Sequence, residues 1–282
     1  MPSARPKPLP DFDRPPLDEM VLSIQFAELP LKNYHSGLLW LKLRHEYPLV
    51  EEQAPLSPVF ETFGALRPVP ATAEIQFLPP EAMIRYWFVS KDGNQLLQFQ
   101  RDRLIHNWRR RAPEDVYPRY EPLRARFESE ILSVQEFLRE YEVGDIRCNQ
   151  CEVTYINSIG PNPETDDPVR DLAKVFTIWR EQYNDGDLER IERGRFGATY
   201  LILPDSGAEP SGRLHVVANP GIRTRDSAPT IQLNITARGK PRDETLAAAL
   251  DWLDLGHASV VRSFAAITTK SMHKVWGRKD NP

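Results

Sequence analysis

The sequence predicts an α+β fold of two similar halves, each running strand, helix, antiparallel strands, helix, with the helices packed on curved antiparallel sheets. Three observations carry this expectation. Period-two hydrophobic runs recur along most of the 282 residues, Asp92-Gly93 supplies tight-turn chemistry between neighbouring runs, and a long period-3.6 segment closes each half.

Residues 1–16 form a Pro-rich arm with too little apolar content to offset its ordering entropy, and are expected to be mobile or extended. The first half, 17–143, opens on Met20, Leu22, Ile24 and Phe26, which alternate with Val21, Ser23 and Gln25 as in a half-buried strand. Asn33 is the expected cap of a helix presenting Tyr34, Leu38, Leu41 and His45 and ending before Pro48. A Pro-rich connection leads to strand-like runs at 74–78, 83–89, 95–100 and 104–108. Tyr120, Leu123, Phe127, Ile131, Val134 and Leu138 then recur at helical spacing over about 119–141.

The second half, 144–278, repeats the order: a strand at 147–159, Asp167-Pro168 as a helix start, and Leu172, Val175, Phe176 and Trp179 as a helix face. Strands are expected at 196–203, 213–218 and 230–237, followed by a helix capped by Asp243, and 279–282 are a tail. The similarity of the halves lies in element order, since no residue motif aligns them.

The composition narrows the function classes. Hydrophobic residues at 40% and charged residues at 27% exclude a disordered or fibrous chain. A formal charge of -4 argues against a general nucleic-acid binder, which needs excess Lys and Arg against phosphate. No apolar run approaches the roughly 18 residues of a membrane span, and 1–16 lack a signal-peptide core. Cytoplasmic residence without membrane association is the resulting expectation. No P-loop, Gly-rich dinucleotide turn, His-Glu-x-x-His or Gly-x-Ser-x-Gly elbow is present, so no cofactor is expected.

Three constellations carry chemistry. On the last helix Leu246, Leu250, Leu253, His257, Val260, Phe264 and Ile267 place His257 on the buried stripe, with Asp254 one turn before it and Gly256 beside it. Asp254 and His257 are therefore candidate catalytic groups, with His273 joining them if the chain bends after Thr268-Thr269. The plainer reading is a core histidine satisfied by a carboxylate and a carbonyl. Asp-x-x-His supplies two metal ligands where zinc needs three or four, so no metal is assigned. Cys148 and Cys151 have redox spacing, but on a strand start positions three apart point to opposite faces, and no second pair exists for zinc. Residues 100–120 interleave arginines with His106, Trp108, Tyr117 and Tyr120, a mixture that holds an anionic ligand or, more plainly, pairs with Glu114, Asp115 and Glu121.

From Pro15 to Gly277 the sequence resembles a sporadically distributed family of uncharacterised bacterial proteins. Pro15-Pro16-Leu17, Glu19, Asn107-Trp108-Arg109, Tyr117-Pro118-x-Tyr120-Glu121, Tyr155-Ile156-Asn157, Leu253-Asp254-x-Gly256-His257, Phe264, Thr268, His273 and Trp276-Gly277 carry the resemblance. It implies no reaction, and its scattered occurrence suggests accessory or defence-associated loci. Three functions stay open. One is a module binding a small molecule or protein through Asn107, Trp108, Arg109, Tyr117, Tyr120, Tyr155, Asn157 and Trp276. Another is a hydrolase-type enzyme using Asp254 and His257. The last is a duplicated saddle gripping nucleic acid.

Overall fold

The computed structural model describes residues 8–63, 84–179, 191–203, 209–223 and 227–279. Alternation of apolar and polar residues produces long strands, and two of them meet at the middle of the molecule. The strand β2 (Leu17–Phe26) follows a two-residue β1 (Asp11–Phe12), and helix α1 (Asn33–Leu43) leads to β3 (Leu49–Gln53). Then come β4 (Arg85–Val89), β5 (Gln95–Gln100), β6 (Arg103–Arg109) and the long helix α2 (Tyr120–Glu140). The second half comprises β7 (Cys148–Ile159), the single turn α3 (Leu172–Val175), β8 (Phe196–Ile202), β9 (Gly212–Ile222), β10 (Pro229–Gly239) and α4 (Leu246–Ile267). Helix α5 (Lys270–Val275) and β11 (Arg278–Lys279) close the described chain.

Among the described residues nine strands form one antiparallel sheet in the order β3-β4-β5-β6-β2-β7-β10-β9-β8. In each half the first strand of the sheet pairs with the last, β2 with β6 and β7 with β10, and β2 and β7 pair with each other to join the halves. One face is apolar: Met20, Leu22 and Ile24 sit beside Leu104, Val153, Leu233 and Ile235, all buried. Helix α2 covers this face over β6, and α4 covers it over β7 and β10. Buried positions on α2 include Tyr120, Leu123, Phe127, Ile131, Val134 and Leu138, the stripe expected from spacing. Gly256 lets α4 lie close, because a Cβ there would stand 3.0 Å from Trp252 and 3.1 Å from Val153. No helix among the described residues is long and apolar enough to cross a membrane.

Several local expectations are corrected. Helix α1 buries His35, Ser36, Leu39 and Leu43, whereas Tyr34 and Leu41 face outward. Its N-cap is Lys32, whose backbone N–H donates to Nδ1 of His35, so Asn33 is already inside the helix. Asp167 starts only turns, and Phe176 leaves the helix after one turn to bridge Thr268. Thr245 caps α4 by accepting from the Ala248 N–H, and Asp243 instead holds the Thr245 side chain. Cys148 and Cys151 both point into the core, because a bulge between Gln25 and Phe26 of β2 adds one residue on β7 and undoes simple alternation. Both thiols are free, and burial pushes Cys148 up to about 12 and Cys151 well above its usual range.

The N-terminal segment is docked from residue 8 onward: Phe12 is buried against Phe264, His273 and Trp276, and β1 pairs with β11. One aromatic anchor thus offsets an ordering entropy that composition averaging hides. The expected strand at 74–78 and the start of that at 83–89 lie outside the described residues.

Candidate functional site

Alternation on β7 sends Tyr155 and Asn157 to the helix-covered face, where α2 begins with Tyr120 and α4 passes with His257, Val261 and Phe264 at steps of four and three. Where the two helices part, Leu9, Pro10, Phe12 and Pro15 of the N-terminal segment form the third wall. The result is a cleft of about 300 Å³ lined also by Leu17, Tyr117, Arg119, Glu121 and Asp11. Aromatic body with few convergent polar groups is the usual make-up of a small-molecule site.

The polar groups form a chain. The hydroxyls of Tyr117 and Tyr155 lie 2.9 Å apart, and that of Tyr155 lies 2.9 Å from Nδ1 of His257. The Tyr120 ring stacks flat on the imidazole, with centroids 3.8 Å apart and planes 1° from parallel. Burial pushes the His257 pKa down to about 4, so the ring is neutral at pH 7. Desolvation likewise raises Tyr117, Tyr120 and Tyr155, which keeps all three phenols protonated. The site therefore offers neutral donors and acceptors.

Asp254 does not orient the imidazole, contrary to the sequence expectation. Its carboxylate accepts a 2.6 Å hydrogen bond from the Tyr120 hydroxyl and faces the Arg124 guanidinium. A tyrosine is thus interposed: the ring of Tyr120 holds His257 while its hydroxyl holds Asp254. Arg119, the N-cap of α2, has φ 79° and ψ 170°, a region almost reserved for glycine. Its guanidinium donates to Asp11 and to the Phe12 carbonyl, tying the strained helix start to the N-terminal wall. Strain at a cleft wall marks a place where the fold gives up stability for geometry.

Of the candidates, the structure brings Tyr117, Tyr120, Tyr155, Asn157 and His257 together. The run Asn107-Trp108-Arg109 is split by β6 alternation. Trp108 faces the helices and supports Tyr117 at 5.3 Å, whereas Asn107 and Arg109 face the opposite side of the sheet. There Asn107 accepts from Gln98 and donates to Glu19, and Arg109 lies over the Trp87 ring. Trp276 packs behind the cleft on Phe264 and Phe12. The chain does bend after Thr269, the N-cap of α5, but His273 does not line the cleft that His257 lines. The Arg278 guanidinium donates to its Nδ1, which leaves Nε2–H to face the Thr268 hydroxyl, so both ring nitrogens are engaged.

Sequence reasoning missed Phe12, and it read Arg119 and His106 only as parts of the arginine-aromatic stretch, not as a cleft-wall tie and a second polar centre. That imidazole, 1% exposed, has Nδ1 within 2.9 and 3.1 Å of the Glu130 carboxylate, which also accepts from Tyr47 and Arg126. Glu130 stands one position before Ile131 inside the apolar stripe of α2, a readable signal for a buried charge. Among the described residues no group of three His, Cys, Asp or Glu side chains is placed to hold a metal ion. No protein-family model matches the sequence, and no curated protein matches it significantly.

Proposed function

We propose that this chain is a ligand-binding module whose site is the tyrosine-lined cleft between α2, β7 and α4. The observation that carries the reading is the convergence of Tyr117, Tyr120, Tyr155, Asn157 and His257, from three elements far apart in sequence, around one cavity. Neutral hydrogen-bonding groups on an aromatic wall suit a planar, largely apolar molecule with a polar edge, and Arg119, Glu121 and Asp11 at the rim add orientation. The separation of Asp254 from His257 by Tyr120 disfavours a hydrolase-type dyad, because no carboxylate is hydrogen-bonded to the imidazole.

We further infer that the halves arose by duplication of one unit and that the protein works in the bacterial cytoplasm, from an accessory or defence-associated locus. Supporting the first is the shared pairing of first with last strand in each half. Supporting membership of the sporadically distributed family is the position of Tyr117, Tyr120, Tyr155, Asn157, His257 and Phe264, which carry the resemblance and meet at the cleft.

Ligand-observed NMR with indole, phenol and quinoline as probes tests the site. Val261→Trp places an indole in the cleft from a position that makes no hydrogen bond of the hydroxyl chain. Binding to the wild-type protein that disappears in this variant is expected. Equal binding to both, or to neither, contradicts the cleft reading.

A further inference from the structure

The face of the sheet opposite the helices is polar, and part of it is already occupied. β3 and β4 are antiparallel neighbours whose last pair is Gln53 with Arg85. A tight hairpin joins such strands with about 2–5 residues, yet here residues 54–84 intervene. Their first part, 54–63, leaves the hairpin and crosses the helix-free face from strand to strand.

The crossing is recorded contact by contact in the order of the sheet. Arg85 of β4 donates to the Ala54 carbonyl. Gln100 of β5 accepts from the Leu56 N–H at 3.0 Å and donates to its carbonyl at 2.9 Å, a side-chain copy of a β-ladder pair. Arg103 of β6 donates to the Ser57 carbonyl, and Gln25 of β2 accepts from the Val59 N–H. Beyond β7, Glu61 meets His215 at 2.7 Å and Arg213 at 2.6 Å on β9, with Arg238 of β10 at 3.7 Å. Arg213 also donates to the Thr62 carbonyl. From Leu56 to Glu61 five residue steps at about 3.3 Å each cover about 17 Å, and the five strand steps from β5 to β9 cover about 24 Å, the side chains of Glu61, Arg213 and His215 closing the remainder, so the segment is read at nearly full extension. Pro55 and Pro58 favour that conformation.

We propose that the helix-free face is a reader of extended peptide segments bearing a carboxylate five residues after a main-chain anchor, and that residues 54–63 occupy it in cis. The recognition is of two kinds. Gln25, Gln100 and Arg103 read main chain, which any sequence supplies, while Arg213, His215 and Arg238 surround one carboxylate, which selects. Burial raises the Glu61 pKa, and hydrogen bonds from His215 and Arg213 outweigh it, holding the group below the ordinary carboxylate range. The face also has hydrogen-bonding capacity that the segment leaves unused. Nε2 of Gln150 and Oδ1 of Asn234 are buried without a partner among the described residues, and Gln150 borders a cavity of about 20 Å³ that Val59 also lines. A strand-crossing segment kept only to cover the sheet has no need of a carboxylate site built from two arginines and a histidine at its far end. The partner is a proline-containing acidic segment of another protein, and competition with the cis segment, present at about millimolar effective concentration, sets its access.

The probe is a fluorescein-labelled peptide of the native sequence 54–63, followed by anisotropy on the full-length protein at 150 mM salt. Glu61→Lys drives the cis segment from Arg213, His215 and Arg238, and Glu61→Gln weakens its hold there without charge reversal. Both variants, their fold checked by circular dichroism, are expected to bind the peptide at least tenfold more tightly than the wild type. A peptide carrying Glu61→Gln is expected to lose at least tenfold on either. Binding that is equal for wild type and variants, equal for the two peptides, or undetectable on all proteins overturns the proposal. Tighter binding of a twenty-residue oligothymidine than of the peptide overturns it in favour of a nucleic-acid face.

Discussion

His106 and His257 lie on the same side of the same sheet, each between a strand and a long helix, and they serve opposite ends. His106 projects from β6 toward α2, is sealed from solvent, and faces a carboxylate tied in turn to Tyr47 and Arg126. It takes no part in the wall of the tyrosine cleft. His257 projects from α4 toward β7, is held by the Tyr155 hydroxyl and the Tyr120 ring, and forms part of a cleft wall. A carboxylate partner closes a polar site on itself, whereas phenols hold an imidazole in place and leave it uncharged toward an incoming molecule. The difference teaches that a histidine on a buried stripe is not one kind of object, and that its partner decides the role.

The largest way to break this contrast is Glu130→Ala, which leaves His106, Tyr47 and Arg126 without their common acceptor. It is expected to cost about 3–5 kcal/mol in urea unfolding, since two buried groups, His106 and Tyr47, each lose a partner at about 1–3 kcal/mol. Ligand binding in the cleft is expected to survive wherever the variant is folded. His257→Leu is expected to cost only about 1 kcal/mol at pH 7.5, because Tyr155 keeps the Tyr117 hydroxyl as a partner. Its folded-state pKa lies below the unfolded value, so the wild-type protein loses stability as pH falls from about 6.5 toward 4, and the leucine variant lacks that loss. The stability gap between the two is therefore expected to close or reverse by pH 4.5. The smallest effect is that of Tyr120→Phe, which keeps the stack and removes the hydroxyl from a half-exposed Asp254. About 0.5–1 kcal/mol is expected in the same assay, with cleft binding retained.

Sequence periodicity disclosed the central strands and both long helices because Met20 to Phe26, Tyr120 to Leu138 and Leu250 to Ile267 each follow one period without interruption. It failed where one residue or one distant contact decides. The bulge opposite Gln25 turns both cysteines inward. α1 carries apolar residues on two faces, Leu38 and Leu41 against Leu39 and Leu43, and the cap formed by His35 selects the second. The candidate site was half legible. His257, Tyr155, Tyr117, Tyr120 and Asn157 stood out by type and position, but the partner of His257 was read from the neighbouring turn as Asp254. It comes instead from β7, 102 residues away. Spacing along a helix reports which groups share a face, and hydrogen-bond partners come from whatever packs against it. The crossing segment 54–63 was invisible for the same reason, since a Pro-rich run carries no mark of where it lands.

The most direct measurement is an NMR pH titration of the His257 ring, assigned by comparison with His257→Leu. A stacked, desolvated imidazole beside the Tyr155 hydroxyl is expected to stay neutral down to about pH 5 and titrate near 4. A midpoint at the ordinary 6.5 would place the ring in water and contradict both the tyrosine enclosure and the cleft built on it.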